Sequence, residues 1–206
     1  MSKENDNADL SKDVFRVLLD LYGVVIALAL TAAIGLTVSP NGVALSPSEL
    51  NWDYLALFGA IFVTIVPFYH GASVYLLRTY KHGNPSPNRA APLVDFFALT
   101  VEGVFFYAMA ASIKNLNSFT LWFALLLLLD IVWIGITYLK ATKKTEAPKW
   151  WAILNTGMFF VLIGTYGLNA NSWPQIFLVI FISAVIRTFL DYILNYDYYF
   201  PKVIKK

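Results

Sequence analysis

The sequence predicts an all-α, multi-pass membrane protein with six transmembrane helices and both termini on the cytoplasmic side. Of its 206 residues, 58% are hydrophobic and 14% are charged, and the mean hydropathy is +0.61, whereas soluble domains carry about 25% charged residues. A helix needs about 20 apolar residues to cross the hydrocarbon core of a bilayer. Six segments meet this length, namely 14–38, 52–77, 92–113, 118–139, 150–168 and 172–196.

The first three predicted spans have recognisable starts. The residues before the first span are polar and mostly acidic, unlike the basic n-region of a signal peptide, so this span is expected to remain as an anchor. The second span opens on Trp52 and contains Pro67. The third opens on Pro92, which suits the first turn of a helix.

The last three predicted spans complete one bundle. The fourth contains an unbroken leucine run before Asp130, which lacks the period-2 alternation of a β-barrel strand. The fifth opens on Trp150 and Trp151, and the sixth on Ser172 with Gln175 three residues later, a capping box. The connections are too short to hold a soluble domain, so residues 1–206 are predicted to form a single transmembrane domain.

The basic residues predict the orientation of the spans. Thirteen Lys and Arg residues flank the spans on one side, Lys114 is alone on the other, and Arg187 lies within a span. Because basic residues concentrate in cytoplasmic loops, both termini are expected in the cytoplasm. The expected location is the cell membrane, as in a bacterial inner membrane.

Several functional classes are excluded by composition and motifs. A net charge of +2 gives no basic excess for nucleic-acid binding, and the absence of cysteine removes thiolate chemistry. Neither His70 nor His82 has a second histidine three or four residues away, so no metal site or cofactor is expected. No nucleotide-binding loop or hydrolase signature occurs.

Two similar fragments place charges inside the first and last spans. Arg16 and Asp20 are four residues apart, as are Arg187 and Asp191, so each pair shares a helix face. The two spans run in opposite directions, which puts Asp20 level with Arg187 and Arg16 level with Asp191. We expect two ion pairs that either fix the helix register or latch a cytoplasmic gate.

Acidic residues also lie deep in the third and fourth spans. Glu102 is central in the third span, with Asp95 on the same face, and Asp130 is central in the fourth. Two neighbouring carboxylates in a low dielectric cannot both ionise cheaply, so one is expected to hold a proton, as in a proton or cation path. The alternative is that each carboxyl is protonated or bonded to another helix, for instance to Asn155.

Pro67 and His70 form the third candidate feature. Pro67 lacks a backbone donor and clashes with the preceding turn, so a helix kink is predicted. The titratable His70 just beyond it suits a gate or a pH sensor. The alternative is a packing kink, with His70 bonded to Asp20, Asp95 or a tyrosine.

The first span carries a packing seam, which we define as Gly23, Ala27, Thr31 and Gly35 at four-residue spacing. Small residues on one face allow a second helix to approach closely. This second helix belongs either to the same chain or to another copy in a homo-oligomer.

The leading functional hypothesis is a small channel or proton-linked transporter. Its polar path would run from Glu102 and Asp130 near the midplane towards the cytoplasmic side, through His70, Asp95, Asp20 and Arg187. The alternative is a membrane sensor or anchor that recruits a cytosolic protein through its inner loops and the tail 196–206. The third hypothesis is an enzyme that acts on a lipid-like substrate through Glu102, Asp130 and His70, although nothing in the sequence places these groups within reach of one atom.

Overall fold

The residues that the structure describes form six long helices and one short helix. The computed structural model describes residues 3–40, 42–81, 91–140, 147–166 and 175–200. The helices are α1 (Lys3–Thr37), α2 (Trp52–Leu76), α3 (Ala91–Ala111), α4 (Leu116–Lys140), α5 (Ala147–Thr165), α6 (Ile176–Leu194) and α7 (Tyr196–Tyr199). A π-helical turn, Leu77–Lys81, continues α2. No strand occurs within the described ranges.

These helices confirm the prediction of a helical, multi-pass membrane protein. Five of them contain segments that are long and apolar enough to cross a bilayer. The segments are Asp13–Thr37, Trp52–Tyr80, Pro92–Ala111, Leu116–Ile136 and Ile176–Leu194. Trp150–Thr165 in α5 is a shorter apolar helix.

The predicted helix boundaries agree less well with the structure than the predicted helices themselves do. α1 begins at Lys3, well before the predicted start at 14, because the acidic residues that precede the apolar run extend the helix and suit its N-terminal dipole. α6 begins at Ile176, and the predicted capping residue Ser172 lies outside the described part of the chain.

The outer surface of the bundle is apolar. Large hydrophobic side chains such as Phe189, Phe160 and Val17 are 67%, 66% and 61% exposed. The largest fully buried side chains are instead aromatic residues of the interior, including Tyr22 and Phe106. A bundle that is hydrophobic both outside and inside suits a lipid environment.

Paired contacts give the directions of the helices. Gly59 lies against Phe181, and His70 lies against Tyr192, so α2 and α6 run parallel. α3 runs opposite to α2. A short connection joins α3 to the adjacent α4, so α4 runs opposite to α3 and therefore parallel to α2. Trp151 at the start of α5 lies against Gly71.

α5 therefore runs opposite to both α4 and α6. Trp151 in α5 contacts α2 near the level of Tyr192 in α6. Asn155, one turn later in α5, bonds Arg187, which comes before Tyr192 in α6. Residue numbers therefore rise along α5 in the direction in which they fall along α6. The chain thus returns through α5 between two parallel helices. This arrangement places the polar residues of α4, α5 and α6 side by side.

Most of the packing seam on α1 faces away from the interior, although a Cβ atom added at Gly23 would lie 3.9 Å from the Tyr69 hydroxyl. The buried stripe of α1 contains Tyr22, Ile26 and Ala29, and it packs against α3 and α2. The seam residues Ala27 and Thr31 are exposed, and a Cβ atom added at Gly35 would meet nothing within 4 Å. Ala27, Thr31 and Gly35 therefore do not form a seam inside one chain, and the interior contact of α1 is formed by Tyr22, Ile26 and Ala29 instead.

Candidate functional site

A cavity of about 90 Å³ lies between α2, α3, α4, α5 and α7. Because a buried water needs roughly 10–15 Å³, this space holds several waters or one small guest. Three carboxyl side chains line it, namely Asp95, Glu102 and Asp130. Five aromatic side chains also line it, namely Phe68, Tyr75, Trp133, Trp151 and Tyr198. No Lys, Arg or His is among its described lining residues.

Asp95 is bound by two tyrosines near one end of the cavity. The Tyr80 hydroxyl donates to Oδ2 at 2.5 Å, and the Tyr75 hydroxyl donates to Oδ1 at 3.2 Å. Asp95 is 3% exposed. The π-helical turn Leu77–Lys81 positions Tyr80 for this bond, and such turns are frequent at functional sites. No pattern in the sequence predicted this turn.

Glu102 is held by α1. The hydroxyl of Tyr22 donates to its Oε1 atom, and the Tyr22 ring is fully buried and stacks on Tyr69 with centroids 5.8 Å apart. Glu102 remains half-buried on the cavity wall. The bond from Tyr22 was not predicted, because the partners expected of the first span were its charged residues Arg16 and Asp20.

Asp130 is bonded to Asn155, as the alternative interpretation of the sequence proposed. The Asn155 side-chain nitrogen donates to Oδ2 of Asp130. The Asn155 oxygen accepts from Arg187 Nε at 2.9 Å and from Nη2 at 2.5 Å. Asn155 therefore connects a carboxyl of α4 to a guanidinium of α6, and all three side chains are buried.

Arg187 also faces Asp191 on its own helix. Its Nη1 atom lies 3.8 Å from Asp191 Oδ2, and its guanidinium carbon lies 5.1 Å from the Phe68 ring centroid. Asp191 accepts further bonds from Asn195 at 2.6 Å and from Tyr199 at 2.7 Å. The four-residue spacing of these positions was visible in the sequence.

The predicted ion pairs between the first and last spans are wrong. Arg187 and Asp191 bond Asn155, Tyr199 and each other, whereas Arg16 and Asp20 are exposed on α1. Equal depth did not bring the two fragments together, because α1 packs against α3 and α2 while α6 packs against α2 and α5.

His70 lies outside the lining of the cavity. Its Nδ1 atom is 3.2 Å from the Tyr192 hydroxyl, and its ring lies 4.7 Å from the Tyr199 ring. The proposed tyrosine partner is thus confirmed. α2 remains α-helical through the buried Pro67 to Leu76, and the gating role of this region stays a prediction.

α7 covers one end of the cavity. Tyr198 lines the cavity, its carbonyl accepts from Arg78 Nη2 at 2.9 Å, and the Arg78 guanidinium lies 4.3 Å from its ring centroid. Burial raises the pKa of the Tyr198 phenol to about 12, although the nearby Arg78 charge opposes this rise. Tyr198 belongs to the tail 196–206, which was predicted to recruit a cytosolic protein and not to line a cavity.

The surfaces expected to recruit a cytosolic partner lie mostly outside the described residues. They include 82–90, 141–146 and 201–206. Within the described part, no group of three His, Cys, Asp or Glu side chains could hold a metal ion.

No protein-family model, curated protein or solved structure matches this chain.

Proposed function

We propose that the chain is a small proton-linked transporter whose cavity binds protons in exchange for another cation. The observation that carries this proposal is that Asp95, Glu102 and Asp130, from two helices, line one cavity with no basic side chain among its described lining residues. A carboxylate without a counter-charge carries a high free-energy cost inside a membrane. The cavity therefore favours the uptake of positive charge, either as protons or as a bound cation.

We further propose six crossings with both termini in the cytoplasm. α4 and α6 run in the same direction, so the chain between them has to return through α5, whose 19 residues extend about 28 Å at 1.5 Å per residue. The distribution of 13 basic residues on one side against one on the other supports the same orientation. In this orientation the cavity lies in the cytoplasmic half of the bundle.

Each cavity carboxyl accepts a hydrogen bond from an uncharged donor. Tyr80 and Tyr75 donate to Asp95, Tyr22 donates to Glu102, and Asn155 donates to Asp130. These bonds orient the carboxyls without neutralising them. A proton on any one of them is therefore exchangeable for another cation that enters the cavity.

The two cavity carboxyls of α3 lie at different depths, which gives the proposed cation path a direction. Asp95 lies in the second turn of α3, and Glu102 lies seven residues further, about 10 Å deeper at 1.5 Å per residue. Tyr198 and Arg78 close the cytoplasmic end near Asp95. A cation thus meets Asp95 before it reaches Glu102 and Asp130.

The outward seam of α1 supports a homo-oligomer. Ala27 and Thr31 are exposed, and Gly35 leaves open space beside the helix. A second copy can approach closely along this face. The molar mass of the purified protein in detergent, measured by light scattering, tests this part of the proposal.

The test of function uses purified protein in proteoliposomes that enclose a pH-sensitive dye. An imposed cation gradient should drive proton movement, and Glu102→Gln and Asp130→Asn should each reduce the initial rate at least tenfold. Asp20→Asn is the matched control, because Asp20 is a carboxylate of a membrane helix that is exposed and outside the cavity. Wild-type rates in both cavity variants would end the proposal.

A further inference from the structure

The wall of the cavity is aromatic between its carboxyls. Tyr75 and Trp133 meet edge to face with ring centroids 6.3 Å apart, and Phe68 and Trp151 do the same at 6.2 Å. Tyr198 contributes the fifth ring. The faces of aromatic rings attract cations, most strongly for Trp, and groups of such rings recognise quaternary ammonium compounds.

The same wall is poorly suited to a compact inorganic ion. Hard cations need several oxygen ligands at short distance. Among the described residues, no three acidic or histidine side chains are close enough to ligate one ion. Asp95 and Glu102 already accept tyrosine hydroxyls, and Asp130 accepts the Asn155 amide. A cation with its charge spread over methyl groups instead buries apolar surface against the rings.

The size of the cavity limits the guest. An engineered apolar cavity of about 150 Å³ holds benzene, with six heavy atoms. By the same ratio, a cavity of about 90 Å³ holds about four heavy atoms, the number in a trimethylammonium group. This is the size of a methylated ammonium group.

We propose that the cavity binds a small alkylammonium ion, with Asp95, Glu102 and Asp130 as counter-charges. Its cation–π partners would be Trp133, Tyr75 and the face of Tyr198 opposite the Arg78 guanidinium. This inference rests on the proposed function and names its substrate class. When the ammonium ion enters, a carboxyl releases its proton to the aqueous side, so one positive charge replaces another. Binding to the cavity should therefore depend on both the charge and the methyl groups of the guest.

The binding test uses tetramethylammonium and its neutral counterpart of equal heavy-atom number, tert-butanol. Titration calorimetry on the protein in lipid nanodiscs should detect tetramethylammonium and no tert-butanol. Trp133→Leu should weaken binding about 3- to 30-fold, the range expected for one lost cation–π contact. Trp133→Phe, which keeps a ring, should stay within about threefold of wild type.

Tyr198 provides a second pair of variants outside the long helices. Tyr198→Leu should weaken binding as Trp133→Leu does, whereas Tyr198→Phe should not. Thermal unfolding of each variant establishes that it is folded. Equal binding of tert-butanol, equal binding by the folded Leu and Phe variants, or displacement of tetramethylammonium by equimolar Na⁺ would each overturn the inference.

Proton flux separates this inference from the proposed function. The proteoliposome experiment above is driven first by a K⁺ gradient and then by a tetramethylammonium gradient. Flux with K⁺ alone, lost in Glu102→Gln, would retain the transporter and overturn the ammonium specificity. Ring-dependent tetramethylammonium binding without any proton flux would retain the binding site and overturn transport.

Discussion

Replacing Arg187 with glutamine should destabilise the bundle by about 3 kcal/mol. The guanidinium donates to the Asn155 oxygen at 2.9 and 2.5 Å and lies 3.8 Å from Asp191. Removing one partner of a buried ion pair costs about 3–5 kcal/mol, because the other charge is left uncompensated. We place the cost at the lower end, since Asp191 retains Asn195 and Tyr199 as donors at 2.6 and 2.7 Å.

This magnitude distinguishes an ion-paired arginine from an ordinary hydrogen-bonding one. A hydrogen bond between membrane helices averages about 0.6 kcal/mol. The assay is reversible unfolding from dodecylmaltoside into SDS, followed by far-UV circular dichroism. Arg16→Gln is the matched control, because Arg16 is exposed on α1, and it should change stability by less than about 0.5 kcal/mol.

A double variant tests the reason for the loss. Arg187→Gln combined with Asp191→Asn should recover at least about 1 kcal/mol relative to Arg187→Gln alone, because the uncompensated carboxylate is gone. A loss below about 1 kcal/mol in Arg187→Gln, or no recovery in the double variant, would refute the reasoning.

Two further predictions concern packing and pH. Gly103→Ala should destabilise the protein by about 1–3 kcal/mol in the same unfolding assay, because the added Cβ atom would lie 2.2 Å from Val25 Cγ1. Gly35→Ala is the control and should be neutral or stabilising, because its added Cβ atom would meet nothing within 4 Å. Equal effects would contradict the close contact of α1 with α3. The hydrogen bonds that the Ser46 hydroxyl and backbone N–H donate to Glu49 hold the pKa of its carboxyl below the usual value. The stabilisation of the loop by these bonds is therefore present above pH 4.5 and is lost as the pH falls through the lowered pKa. Carbon-13 NMR titration of the Glu49 carboxyl should give a midpoint below 4.5, and Ser46→Ala should move it upwards.

The depths of the polar residues were predictable, but their neighbours were not. Counting residues from the helix ends placed Glu102 and Asp130 at comparable depth, and both line the cavity. The same counting placed Asp20 level with Arg187, yet these residues do not meet. Depth depends on one helix alone, whereas lateral neighbours depend on how all the helices pack.

The apolar exterior explains why the packing was hard to predict. Spans that are hydrophobic on every side carry little amphipathic signal for the face that turns inward. On α1 the small residues suggested one face, but the buried face is the one with Tyr22 and Ile26. The link from Asp130 to Asn155 was foreseeable because a buried carboxyl needs a donor and Asn155 is a polar residue of the next span.

The bond between Asp130 and Asn155 constrains how the chain is inserted during synthesis. The ribosome makes Asp130 25 residues before Asn155, and Arg187 follows 32 residues after Asn155. Until those residues emerge, α4 would present an unpartnered carboxylate to lipid at a cost of about 2.5–3.5 kcal/mol. We therefore expect α4 to gain stability in the bilayer only when α5 and α6 pack against it.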